Sequence, residues 1–160
     1  MYLRMDFWQG ILHNRALITA VAAWLIAQVL KTIIYFFTAK ELKLSRMVGD
    51  GGMPSAHSAT VMALATRCAI EFGSYSSEFA IAAIFAIVVM HDAMGVRRES
   101  GRHAQALNEL FAFMDQFMDE SIDFDVKLKE FLGHTPTQVI AGGLLGFFVA
   151  IVSGSIAPPV

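Results

Sequence analysis

The chain has 160 residues, of which 56% are hydrophobic and only 16% are charged, whereas soluble domains carry about 25% charged residues. Its formal net charge of −2 argues against a nucleic-acid-binding protein, because such proteins present a strongly basic surface. The one cysteine, Cys68, excludes an intramolecular disulfide framework and a cysteine zinc site. The length suits one domain, which we place over residues 1–160.

Apolar residues are concentrated in four blocks, which predict membrane helices. In chain order the blocks are Ala16 to Phe37, Ser58 to Ile70, Phe79 to Met90 and Thr137 to Ile156. A bilayer span needs about 20 residues, so the two middle blocks span only if their flanking turns are included. We therefore predict an all-α integral membrane bundle of about four membrane helices. Within the first block, Lys31 is interpreted as a side chain that snorkels to the membrane interface.

A glycine-rich segment precedes the second block and reads Gly49-Asp50-Gly51-Gly52-Met53-Pro54-Ser55-Ala56-His57-Ser58. Proline and serine are typical of helix starts, and a helix N-terminus attracts anions through its free N–H groups. His57 falls in the first turn, where it can exchange a proton with a bound anion. The alternative is a capped helix that carries an incidental histidine.

A polar section from Gly95 to Gly133 separates the third and fourth blocks. Its apolar residues recur at three- and four-residue spacing, which predicts one amphipathic helix: Ala104, Leu107, Phe111, Met114 and Met118. We expect this helix to pack against the bundle or a partner helix. Contact with the membrane surface is disfavoured, because the acidic residues that follow would be repelled by anionic lipid.

The cations indicate an orientation in the membrane. The loop after the first block and the polar section hold eight of them, namely Lys40, Lys43, Arg46, Arg97, Arg98, Arg102, Lys127 and Lys129. The positive-inside rule places this face in the cytoplasm, although a phosphate site would itself attract cations. In this topology His57, Asp92 and His134 all reach the cytoplasmic face. Two imidazoles and several guanidinium groups at one face suit phosphoryl transfer. We expect an integral protein of the inner or plasma membrane with its site facing the cytoplasm.

Three sequence blocks resemble a known family. They are Gly51-Gly52-Met53-Pro54-Ser55-Ala56-His57-Ser58, Asp92-Ala93-Met94-Gly95-Val96-Arg97-Arg98 and Leu132-Gly133-His134-Thr135-Pro136. The first looks like the Pro-Ser-Gly-His signature of type-2 phosphatidic acid phosphatases and vanadium haloperoxidases. The order of the three is similar to a divergent membrane branch of that superfamily. The resemblance covers most of the chain.

The resemblance implies a metal-independent phosphatase that needs no cofactor. By resemblance His134 attacks phosphorus and forms a phosphohistidine, His57 protonates the leaving group, and Arg46 holds phosphate. From the glycine turn we further expect phosphate to lie near Ser55. Arg97 or Arg98 would close over it, and Asp92 either pairs with these arginines or takes part in the chemistry. The expected partner is a phosphomonoester or diphosphate lipid within the membrane.

The chain departs from the superfamily signatures at three positions. Gln138 replaces the aspartate that orients the nucleophile, Leu128 stands where an arginine is expected, and Ala56 replaces a glycine. Because Gln138 lies four residues after His134, we expect it to share a helical face with His134 and to accept its hydrogen bond, without supplying a negative charge. These departures leave a second hypothesis open, in which a non-catalytic relative binds a phosphorylated lipid or anion and recruits a partner. A small transporter subunit is a third. Gly142 and Gly146 predict close helix packing, either within the protomer or in a homo-oligomer.

Overall fold

The computed structural model describes residues 2–40, 52–115, 128 and 133–156, and within them every regular element is a helix. The six helices are α1 (Tyr2–His13), α2 (Arg15–Ala39), α3 (Ala56–Phe72), α4 (Ser77–Met94), α5 (Val96–Asp115) and α6 (Pro136–Ile156). Helices α2, α3, α4 and α6 coincide with the four apolar blocks, and α5 is the amphipathic helix. The all-α prediction is therefore confirmed, whereas α1 was not predicted.

Helix α3 occupies the centre of the bundle, where it packs against α2, α4 and α6. Its contacts with α2 and α6 are made through a cluster of buried alanines, which lets the backbones approach closely. The cluster consists of Ala23, Ala27, Ala56, Ala59, Ala63 and Ala150. Because α3 is surrounded on several sides, its first turn is held firmly in place, and this turn carries His57.

The helices have the length and apolar composition of membrane-spanning segments. Among the described residues three segments are long and apolar enough to cross a bilayer, namely Arg15–Ala39, Ser77–Met114 and Pro136–Ile156. Helix α3 has only 17 residues and contains Arg67, which is completely buried and lies 3.4 Å from Glu71 between Nε and Oε2. The prediction of a helical membrane bundle is confirmed, and α3 forms its interior rather than a lipid-facing span.

Capping residues fix where the helices begin and end. Asn14, Ser55 and Ser76 each precede a helix, and their side chains accept hydrogen bonds from the backbone N–H three residues later. Such caps satisfy donors that have no partner inside the helix. At the other end of α4, the N–H of Gly95 donates to the carbonyl of His91 at 2.9 Å. Helix α4 therefore ends at Met94, two residues after Asp92, and α5 begins at Val96.

Two glycines of α6 bring its first half against the start of α3. A Cβ atom at Gly142 would overlap the carbonyl oxygen of Ser55, and one at Gly146 would overlap that of Ala59. Only glycine allows the two backbones to approach so closely. The Gly-x-x-x-Gly pair is thus used for packing within the protomer. As a result, the N-termini of α3 and α6 lie side by side.

Candidate active site

Three helix ends meet at one end of the bundle. The backbone N–H of Ser55, before α3, donates to the carbonyl of Gln138 in α6 at 3.0 Å. The N–H of His134, just before α6, donates to the carbonyl of Ala93 in the last turn of α4 at 3.1 Å. These two bonds bring together the three sequence motifs that contain Ser55, Asp92 and His134.

The two histidines of the sequence motifs are neighbours in space. The ring centroids of His57 and His134 lie 5.9 Å apart, and the rings meet edge to face at 63°. His134 is only 3% exposed, whereas His57 is half-buried. Both rings are within reach of a single phosphate group, since hydrogen bonds and attack distances extend about 3 Å from each nitrogen.

Gln138 fixes the tautomer of His134. Its Oε1 lies 3.1 Å from Nδ1 of His134 and 3.1 Å from the backbone N of Thr135. The Thr135 N–H is a donor, so the side-chain atom that it meets must be the oxygen of the amide. Nδ1 of His134 must then carry a hydrogen and donate it to the same oxygen. The lone pair of neutral His134 therefore resides on Nε2.

The same glutamine also caps its own helix. The Thr135 Oγ1 accepts a hydrogen bond from the N–H of Gln138 at 3.4 Å, in return for the bond from the Thr135 N–H to Oε1. This reciprocal pair is a capping box, which the sequence Thr135-Pro136-Thr137-Gln138 encodes. Gln138 thus holds the His134 ring through a hydrogen bond, but it supplies no negative charge to an imidazolium.

Ser55 is placed beneath the first turn of α3 and is fully buried. Its Oγ accepts from the N–H of Ser58 at 3.3 Å and from the Ser58 hydroxyl at 3.0 Å. Both acceptor positions of this oxygen are occupied, so the Ser55 hydroxyl has only its own hydrogen left to donate. Its clearest contribution is therefore to hold the helix start, while its role toward phosphate stays a prediction.

Asp92 lies half-buried on the last turn of α4, next to the residue whose carbonyl binds His134. Three cations were predicted to bind phosphate, namely Arg46, Arg97 and Arg98. Arg46 lies outside the described residues, and Arg97 and Arg98 are described by their helical backbone alone. Leu128, which stands where the resemblance leads one to expect an arginine, is held by Asn108 of α5. The Asn108 side chain accepts from the Leu128 N–H and donates to the Leu128 carbonyl, at 2.9 Å each.

The described residues contain no group of three His, Cys, Asp or Glu side chains placed to hold a metal ion. His103 lies on α5, where it is exposed.

Sequence reasoning missed two features of this site. The interpretation of Lys31 as a snorkelling side chain is wrong, because Lys31 is 5% exposed and packs against Gly52 in the glycine turn. Its position in one stripe with Ala23 and Ala27 was the signal that could have placed it inside the bundle. The capping box was also visible as Thr-x-x-Gln ahead of an apolar run, but in the sequence Gln138 was considered only as the partner of His134.

Comparison with known proteins gives a family. Residues 12–149 match the sequence profile of the Divergent PAP2 family. The chain is also 43% identical over 150 residues to "Uncharacterized membrane protein YuiD" of Bacillus subtilis (strain 168), a match that covers 89% of this chain and 95% of that protein. No solved structure matches. The family match contains both His57 and His134, and we conclude that the chain belongs to the Divergent PAP2 family.

Proposed function

We propose that this membrane protein is a lipid-phosphate phosphatase that works through a phosphohistidine on His134. The observation that carries the proposal is the pair of imidazoles, in which His134 has its Nδ1 hydrogen held by Gln138 and His57 lies 5.9 Å away between ring centroids. A nucleophile with an oriented lone pair beside a second proton-transfer group is the arrangement that covalent catalysis requires.

The reaction follows from these two rings. The Nε2 lone pair of His134 attacks phosphorus, the bond from phosphorus to the ester oxygen breaks, and protonated His57 gives its proton to that oxygen. Neutral His57 then takes a proton from water, whose oxygen attacks phosphorus. The N–P bond breaks, its electron pair returns to Nε2, and phosphate leaves. Free N–H groups at the α3 N-terminus favour the anion throughout.

The substrate is proposed to be a phosphomonoester or a diphosphate carried on a lipid. The site lies at one end of a membrane bundle, at the ends of α3, α4 and α6 rather than midway along them. A headgroup at the membrane surface reaches this depth while its chains stay in the bilayer. We place this end at the cytoplasmic face, because most of the chain's cations flank it in sequence.

Phosphate release tests the proposal. Purified protein in detergent, with EDTA present, is expected to release phosphate from at least one member of a panel of lipid phosphates and diphosphates. His134→Ala should abolish turnover, and His57→Ala should lower it by about 10²–10⁴. His103→Ala is the matched control, because His103 is exposed on α5, and it should keep full activity. Rapid quenching of labelled substrate should trap an acid-labile adduct that His134→Ala lacks. Full activity of His134→Ala would refute the proposal.

A second candidate function is binding without turnover. It is favoured by Gln138, because the capping box alone accounts for a neutral amide at this position. In this case the site at the paired imidazoles holds a phosphorylated lipid, and α5 recruits a partner. The same purified protein would then bind lipid phosphates, lose that binding in the His57→Ala variant, and release no phosphate from any of them.

A further inference from the structure

An asparagine of α5 holds the chain shortly before His134. The Asn108 Oδ1 accepts from the backbone N–H of Leu128, and the Asn108 Nδ2 donates to the Leu128 carbonyl, both at 2.9 Å. The two residues are 20 positions apart in the chain, whereas Leu128 comes shortly before His134. A side-chain amide that pairs with both polar groups of one backbone residue fixes the position and the orientation of that residue.

Asn108 lies on the sheltered face of α5. It is half-buried, as are Ala104 and Phe111 on either side of it, whereas the adjacent Leu107 is 43% exposed. Sheltering an amide costs free energy unless its donor and its acceptor are both paired. Leu128 pairs with both groups, so this contact accounts for a polar residue on the sheltered face of the helix.

The chain that leads to His134 is anchored at both of its ends to consecutive helices. At one end, Asn108 of α5 holds Leu128. At the other, the N–H of His134 donates to the carbonyl of Ala93 in α4 at 3.1 Å, and only Gly95 separates α4 from α5. A segment fixed at both ends has fewer conformations than one fixed at a single end. The anchor at Leu128 therefore limits how far the backbone of His134 can move.

We infer that Asn108 is a positioning residue for His134. It acts through the chain and not on the reacting atoms, because it holds the segment that presents the Nε2 lone pair of His134 to phosphorus. The inference rests on the proposed function for the role of His134, and it gives α5 a part in a site otherwise built from α3, α4 and α6. A displacement of about 1 Å in a reacting group lowers a rate by about 10²-fold, so the loss of a remote anchor is measurable in turnover.

Steady-state kinetics of three variants test the inference. Asn108→Leu removes both bonds, Asn108→Asp keeps only the acceptor, and Asn108→Gln keeps donor and acceptor on a longer side chain. With one active lipid phosphate, Asn108→Leu should lower kcat by about 10- to 100-fold and leave KM nearly unchanged. Asn108→Gln should retain the most activity of the three. Gln105→Leu is the matched control, because Gln105 is an exposed amide on the same helix that bonds Glu109, and it should match the wild type.

Chemical modification reports the position of His134 without turnover. Diethyl pyrocarbonate acylates accessible neutral imidazoles, and mass spectrometry identifies the peptide that contains His134. Because His134 is 3% exposed, it should be protected in the wild type and in Gln105→Leu. In Asn108→Leu it should react roughly tenfold faster, since local opening admits the reagent. Each variant is modified well below its own melting temperature, which separates local opening from global unfolding.

These measurements separate the inference from the phosphatase proposal. Full kcat or a protected His134 in Asn108→Leu overturns the inference and leaves the phosphatase proposal standing where the wild type hydrolyses a lipid phosphate. If Asn108→Leu does not fold, the other two variants decide, because the inference requires Asn108→Gln to exceed Asn108→Asp in both kcat and protection of His134. If no lipid phosphate is hydrolysed but His134 is unprotected in Asn108→Leu and protected in Gln105→Leu, the inference stands and the phosphatase proposal fails.

Discussion

Replacing Gln138 by glutamate tests the role of the orienting residue directly. Glutamate has the same length as glutamine, so a carboxylate oxygen would take the place of Oε1, 3.1 Å from His134 Nδ1 and 3.1 Å from the Thr135 N–H. The capping box accepts either residue, and a negative charge in the first turn of α6 is favourable. Gln138→Asp is the weaker test, because its side chain is shorter by one carbon–carbon bond, about 1.5 Å.

The expected size of the effect follows from this geometry. An opposite charge within hydrogen-bond distance shifts a protonation equilibrium by about one to three pH units. Since His134 must be neutral to attack, the acidic limb of the pH profile should move upward by that amount in Gln138→Glu. Above this limb, a charge-assisted bond worth about 1.5–3 kcal/mol would stabilise the positive ring that forms on attack. Turnover there should rise by roughly 10- to 100-fold.

The assay is phosphate release across pH 4–10 with one active lipid phosphate. The wild type should give a bell-shaped profile, because the nucleophile must be neutral and the acid protonated. Gln138→Leu serves as the comparison, since it removes the acceptor for both His134 and Thr135, and it should lower turnover without moving the acidic limb upward. An unchanged pH profile in Gln138→Glu would show that this side chain does not affect the protonation of a catalytic His134. Another residue would then have to be the nucleophile.

Three further predictions concern packing, anion binding and orientation. Gly142→Ala should destabilise the protein by about 1–3 kcal/mol or more through overpacking, whereas Gly143→Ala should not, because its Cβ would lie 3.7 Å or more from its neighbours. Melting in detergent compares the two, and equal melting temperatures would contradict the close approach of α3 and α6. Arg98→Ala should weaken orthovanadate binding by about 1.5–3 kcal/mol, measured by calorimetry, and unchanged binding would remove Arg98 from the site. Cysteines introduced at Lys40 and Ser155 should react with impermeant reagent from opposite sides of the membrane, and labelling from the same side would refute the topology.

The sequence predicted the helices because the apolar blocks carry clear signals at both ends. Ser55 and Ser76 are capping residues just ahead of two such blocks, and Gly73 and Gly95 follow the same blocks. These residues mark the starts and ends of α3 and α4 in the sequence. Helix α1 lacks such a block; its polar residues are interspersed with aromatic ones, and local composition alone does not distinguish it from an extended terminus.

The sequence predicted that the two imidazoles lie at the same end of the bundle, but it did not predict that they are neighbours. Topology indicated that His57 and His134 share a face, but the distance between them depends on how closely α3 and α6 approach. That approach is set by Gly142 and Gly146, whose partners are backbone carbonyls of another helix. A sequence motif of small residues indicates that some helix packs there, and it does not identify which one. For Lys31, the stripe with Ala23 and Ala27 indicated a buried position, but the sequence did not indicate that Gly52 packs against its side chain.

Gln138 makes several hydrogen bonds besides the one to His134, so glutamine at this position does more than remove a carboxylate. The Gln138 carbonyl accepts from Ser55, its N–H donates to Thr135 Oγ1, and its Oε1 accepts from both Thr135 and His134. One residue therefore joins the starts of α3 and α6, caps α6 and sets the tautomer of His134. The side chain that caps the start of α6 thus also determines which ring nitrogen of His134 carries the hydrogen, and Gln138→Glu tests what a negative charge at this position would add.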